Sequence, residues 1–95
     1  MIGTDPIPCE HVVFTDFDGV EGILVDLNTK KYYQLNETAM VIWKALEEGL
    51  GTREIADRIV ENYEITPNDA LRNVDEIVEK FRVYSLVTAG NNTSR

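Results

Sequence analysis

The stretch "GILVDLNTKKYYQLNETAMVIWKAL", residues 22–46, decides how this chain folds. "ILVDL" is rich in aliphatic and β-branched residues, breaks at the polar "NTKK", and resumes an extended pattern in "YYQL", which predicts two antiparallel strands joined by a turn. Asn28 suits that turn through its side chain and its tolerance of the left-handed region. At Asn36 the apolar spacing lengthens to about 3.6 residues, placing Ala39, Ile42, Trp43 and Leu46 on one stripe of a helix. The Asn36 carboxamide is suited to accept from the free N–H groups of that helix start. No later segment pairs with "YYQL", so its outer edge is expected to lack a partner.

Working outward, "HVVFTDF" (11–17) reads as a strand, and "DG" (18–19) as the turn that joins it to "VEGILVDL". Downstream, Gly49 and Gly51 end the first helix, and Thr52 is expected to cap a second with Ile55, Ala56, Ile59, Val60 and Tyr63 on its apolar side. "ITPND" (65–69) starts a third: Thr66 as cap, Pro67 at the first helical position, Asp69 facing the positive end of the dipole. Ala70, Leu71, Val74, Ile77, Val78 and Phe81 recur at helical steps as far as Tyr84. Residues 1–9 are expected to form a loose arm, 10–87 a single domain and 88–95 a frayed tail, with "SLV" (85–87) adding a short extended segment. Three strands followed by three helices make an α+β domain, because so small a sheet needs helices to cover one face.

Composition narrows the function. The formal charge is −8, and residues 1–27 hold six acidic residues without one Lys or Arg. Such a surface repels phosphate backbones and anionic membranes, so a peptide or protein partner is expected rather than nucleic acid or lipid. Neither a membrane span nor a signal peptide is read, and the single Cys9 fits a reducing, cytoplasmic compartment. Cys9 and His11 are too few for a zinc site. "DFDGVEG" lacks the spacing of a calcium loop and reads as a hairpin turn. With no nucleophile beside a base, no glycine-rich phosphate loop, and Trp43 read as core, neither enzyme chemistry nor a cofactor is expected. The third strand keeps an open edge that Lys30 and Lys31 could guard, or to which a peptide could add as a further strand.

"ILVDLNTKKYYQLNETAMVIWKAL" and "TREIADRIVENYEITPNDALRNVDEIVEKFRVYSLV", with the preceding strand, resemble the PqqD-like family, also called RiPP recognition elements, over about residues 11–87. The resemblance rests on a strand ending in aspartate, a turn, "YYQLN", a helix with a central Trp, a helix opening Thr-x-x-x-Ile and another opening near "TP". Where the family often ends its last helix with "ERGL"-like residues, this chain has "RVYSL". The resemblance implies a winged-helix-like, three-stranded antiparallel sheet followed by three helices, without catalysis, that binds the leader of a ribosomally made precursor peptide and presents it to a modifying enzyme. It implies strand addition along Lys31, Tyr32, Tyr33, Gln34 and Leu35, with a groove wall from Leu71, Val74, Asp75, Val78, Phe81 and Arg82. The enzyme partner would be a radical-SAM protein or a leader peptidase, and a homodimer through the third-strand edge is a plausible resting form. The alternatives are a winged-helix DNA binder, disfavoured because residues 66–84 are net acidic, and a structural subunit docking on an enzyme through its sheet edge.

Overall fold

The computed structural model describes residues 6–17, 19 and 21–88. Five strands and three helices follow in the order β1 (Ile7–Pro8), β2 (Val12–Asp16), β3 (Gly22–Asp26), β4 (Lys31–Leu35), α1 (Glu37–Glu47), α2 (Thr52–Asn62), α3 (Pro67–Val83) and β5 (Val87–Thr88). The expected three-stranded sheet is β2-β3-β4, antiparallel throughout, with β4 at one edge. Phe14 stands opposite Leu24, and Leu24 opposite Tyr33, so these three share the face turned to the helices.

Each junction has a local cause. The Asp16 carboxylate accepts from Gly19 N–H at 2.7 Å, and Gly19 takes φ +83 in the β2–β3 turn, whose Asp18 lies outside the described residues. In the β3–β4 turn the left-handed residue is Lys30 at φ +65, not Asn28. The reason is Asp26. Its Oδ1 accepts from the N–H groups of Asn28 (2.9 Å) and Thr29 (3.2 Å), which fixes the early turn and leaves the reversal to Lys30.

Asn36 caps α1, accepting from Ala39 N–H at 2.9 Å. That helix ends in a Schellman motif: Leu50 N–H reaches Ala45 O, Gly49 N–H reaches Leu46 O, and Gly49 sits at φ +90. The cap of α2 is Gly51 rather than Thr52, and Glu54 Oε1 accepts from the Gly51 N–H at 2.9 Å. A glycine has no side chain to return the bond, so only the glutamate half of a capping box is made. Thr66 and Pro67 start α3 as expected, with Asp69 N–H donating to Thr66 Oγ1.

The ends of the domain depart from the sequence expectation. Pro6 is buried, and β1 pairs with β5, Ile7 opposite Thr88 and Pro8 opposite Val87, so residues 6–9 belong to the fold rather than to an arm. Cys9 tightens this seam: its N–H donates to Leu86 O, and its thiol to Ser85 O at 3.6 Å. Burial and the Asp26 carboxylate push that thiol up. Residue 88 belongs to β5, while residues 1–5 and 89–95 of the expected arm and tail lie outside the described residues.

The core lies between the inner sheet face and the helices. Trp43 is fully buried and meets Phe81 edge-on, ring centroids 5.2 Å apart at 86°. Its indole N–H donates to Glu47 Oε2 at 3.1 Å, so the core gains a large aromatic without an orphaned donor. Among the described residues, no helix is long and apolar enough to cross a membrane.

Candidate functional site

β4 pairs with β3 along one edge, and among the described residues its other edge has no strand beside it. Its side chains alternate as the sequence requires: Leu35 is buried and Tyr33 half-buried toward the helices, whereas Tyr32 and Gln34 point outward and Tyr32 is 71% exposed. The Gln34 amide N–H donates to Glu21 Oε1 at 2.9 Å.

Beside the inner side of this strand is a hollow of about 400 Å³. One wall is Tyr32, Tyr33, Gln34 and Leu35. Asn36 and Ala39 close it where β4 passes into α1. The facing wall is Ile77, Lys80 and Phe81 from α3, followed by Tyr84 and Leu86. Ile77, Lys80, Phe81 and Tyr84 fall at steps of three, one and three residues, which is one stripe of a helix. The stripe one residue over, Val74 and Val78, is buried in the core, at 0% and 3% exposure.

Tyr84 is set by the way α3 stops. Leu86 N–H reaches Phe81 O at 2.8 Å and Ser85 N–H reaches Arg82 O at 3.0 Å, a second Schellman motif, with Ser85 at φ +61. Phe81 and Leu86, the first and last members of that motif, are both buried beneath the hollow. The Tyr84 ring then lies on Tyr33, centroids 4.9 Å apart and tilted by 34°, joining the end of α3 to the middle of β4.

The residues expected from the sequence therefore separate. Tyr32, Tyr33, Gln34, Leu35 and Phe81 line the hollow; Lys31 begins the same strand and is exposed. Val74 and Val78 belong to the core, and Leu71 packs half-buried against it. Asp75 and Arg82 are on the exposed side of α3, Arg82 paired with Glu79 and Asp75 beside Glu76. Ile77, Lys80, Tyr84, Leu86, Asn36 and Ala39 were not expected. For α3 the missing signal is phase: periodicity shows that a stripe exists, but Ile77 and Val78 fit two adjacent stripes equally well.

Electrostatics sharpen the contrast. Arg58, Arg72, Arg82 and Lys44 pair with Glu48, Asp69, Glu79 and Asp16. Among the described residues, Lys30, Lys31, Arg53 and Lys80 make no ion pair; of these Lys80 lines the hollow and Lys31 begins its strand. Asp26 anchors the other end of β4. Burial pushes its carboxyl up, but the N–H groups of Thr29 and Asn28 and the nearby His11, 3.7 Å away, outweigh it and hold it below the usual value.

No curated protein sequence matches the chain. Two solved structures match in fold. "TbiB1 in Complex with the TbiA(beta) Leader Peptide" has a TM-score of 0.82 and 26% identity, covering 92% of this chain and 99% of that one. "Lasso peptide synthetase B1 complexed with the leader peptide" has a TM-score of 0.79 and 23% identity, covering 87% and 96%. With that three-stranded sheet followed by three helices, the winged-helix-like fold is the one these peptide-bound proteins share. The family described as "Coenzyme PQQ synthesis protein D (PqqD)" matches residues 21–87, from β3 through the first residue of β5, and the chain accordingly belongs to the PqqD family.

Proposed function

We propose that this domain binds the leader segment of a ribosomally made precursor peptide by strand addition to the outer edge of β4, and presents it to a modifying enzyme. The observation that carries this reading is the hollow of about 400 Å³ directly beside an unpaired strand edge. An extended peptide has unmet N–H and C=O groups and alternating side chains; the edge satisfies the first, and the hollow takes every second side chain. The similarity to TbiB1, a protein solved with a leader peptide, supports the same use of the surface.

Peptide-contacting residues on this reading are Lys31, Tyr32, Tyr33, Gln34 and Leu35 from β4, with Ile77, Lys80, Phe81 and Tyr84 opposite. Val74, Val78 and Leu71 support the wall from behind. On this reading the domain acts as a binding surface without chemistry of its own; among the described residues the hollow is lined by aromatic, aliphatic and amide side chains and one lysine. Its contribution is concentration. Holding the leader makes modification of the attached core intramolecular, with effective concentrations in the millimolar range for short flexible linkers. The modifying enzyme is a radical-SAM protein or a leader peptidase system, and the domain resides in the cytoplasm, where such precursors are made. Without a leader, the same β4 edge serves a homodimer.

DNA binding is disfavoured because the exposed side of α3 is net acidic, Asp69, Asp75, Glu76 and Glu79 outnumbering Arg72, Lys80 and Arg82, where a groove-reading helix would carry an excess of cations. The test is a 15N-HSQC titration with synthetic leader peptides encoded beside the gene. Shifts concentrated at residues 31–35 and 77–84 are expected. A well-dispersed spectrum unmoved by any of them assigns the edge to another partner.

A further inference from the structure

We infer that Lys80 is a specificity-determining cation: among leaders that fit the groove, it selects those bearing an Asp or Glu close to the apolar side chain seated in the hollow. The inference rests on the leader-binding reading and adds to it the chemistry of the preferred peptide.

Two observations point this way. Lys80 lines the hollow between Ile77 and Tyr84 and is the one cation among its described lining residues; its ammonium has no ion-pair partner there, as Lys30, Lys31 and Arg53 have none elsewhere, whereas Lys44, Arg58, Arg72 and Arg82 are paired. Glu76 is one helical turn before it and Glu79 adjoins it, but Glu79 is engaged by Arg82 at 2.6 Å and neither pairs with Lys80. The second observation is Lys31, also unpaired, which shares a face of β4 with Tyr33 and Leu35. Thus, in a chain with net charge −8, Lys80 stands at a boundary: it lines the hollow on one side and, on the other, borders the outer surface of α3 that Asp75, Glu76 and Glu79 line.

That arrangement selects in both directions. A peptide carboxylate at the level of Lys80 meets a cation over a low-dielectric floor of Phe81 and Leu86, where attraction is stronger than in open water. The same carboxylate displaced over the outer rim meets Glu76 and Glu79 and is repelled. Net charge alone gives the opposite expectation, because an acidic domain should favour basic peptides indiscriminately.

The experiment is a selection from a displayed library of random dodecapeptides against the wild-type domain and its Lys80→Glu, Lys80→Arg and Arg53→Glu variants. Retained peptides are those that shift Tyr33 and Phe81 resonances in 15N-HSQC spectra. Arg53 is exposed on α2, away from the hollow, so its reversal controls for net charge. Wild type, Lys80→Arg and Arg53→Glu are expected to enrich Asp or Glu within about three residues of an apolar anchor. Lys80→Glu is expected to lose that enrichment and to bind the wild-type winners about tenfold more weakly. Groove-binding peptides without acidic enrichment, or the same enrichment from Lys80→Glu, overturn the role of Lys80 and leave leader binding standing. If no retained peptide moves Tyr33 or Phe81, the groove reading falls and Lys80 with it.

Discussion

Tyr33 from β4 and Tyr84 from the end of α3 lie with ring centroids 4.9 Å apart, the side-chain contact that spans the hollow from strand to helix. Tyr84 is 51% exposed, so area burial alone does not explain its position. A tilted aromatic pair contributes about 0.5–1.5 kcal/mol beyond burial. A double-mutant cycle with Tyr33→Ala and Tyr84→Ala, read by urea denaturation, should give a coupling energy in that range. A coupling near zero would mean that Ser85 and the Schellman motif alone place Tyr84.

Ser85 offers a gain in stability. It holds φ +61, where an L side chain costs roughly 1 kcal/mol and glycine nothing. Ser85→Gly removes that cost but raises the entropy of the unfolded chain, so a net stabilisation of about 0.5 kcal/mol is expected. The denaturant midpoint should rise with an unchanged m-value. A fall would show that the Ser85 side chain contributes something its exposed position does not reveal.

Gly22 is required for a different reason. A Cβ there would stand 2.7 Å from Met40 Sδ, 2.7 Å from Phe14 Cε1 and 2.9 Å from the carbonyl oxygen of Thr15. Met40 can move, but the Thr15 oxygen belongs to the neighbouring strand β2. Gly22→Ala should therefore destabilise the domain by about 1–3 kcal/mol, and adding Met40→Ala should not restore it. Full rescue by Met40→Ala would place the whole clash on the thioether.

These residues also show what can be read before folding. Asn36, Thr66 and Pro67 were legible because a cap and a first-turn proline act locally, within one helical turn. The β1–β5 pair was not: two residues at each end meet only after the whole domain has closed, and a buried Pro6 has no local signature. The β4 edge was legible because an absent partner can be counted along the chain. The identity of its facing wall depended on one residue of helical phase.

Acid should unfold the domain in part through Asp26. Its folded pKa lies below the ordinary carboxylate value, so the unfolded chain takes up the proton first as pH falls. The associated stability is complete above about pH 4 and disappears as pH drops below that through the folded pKa. Asp26→Asn should lower stability at pH 7 and flatten the pH dependence below about pH 4. Parallel curves for variant and wild type in that range would remove Asp26 from the acid response.

The sharpest test of the groove compares two adjacent residues on α3. Val78 is 3% exposed and surrounded by core, so Val78→Asp buries an unpaired carboxylate, a cost of several kcal/mol against a domain stability of about 5–15 kcal/mol. Lost peptide binding in that variant would report unfolding and say nothing of the site. Ile77 is half-buried and lines the hollow, with solvent within reach of a new carboxylate. Ile77→Asp should cost no more than about 1–2 kcal/mol of stability. It should nevertheless weaken a groove-binding leader at least tenfold, because the charge would have to be desolvated against the incoming apolar side chain. Circular dichroism and thermal melts separate the two variants, and titration calorimetry on the folded Ile77→Asp domain reads the site. Unchanged affinity there would move the leader off the α3 wall and leave only the β4 edge to hold it.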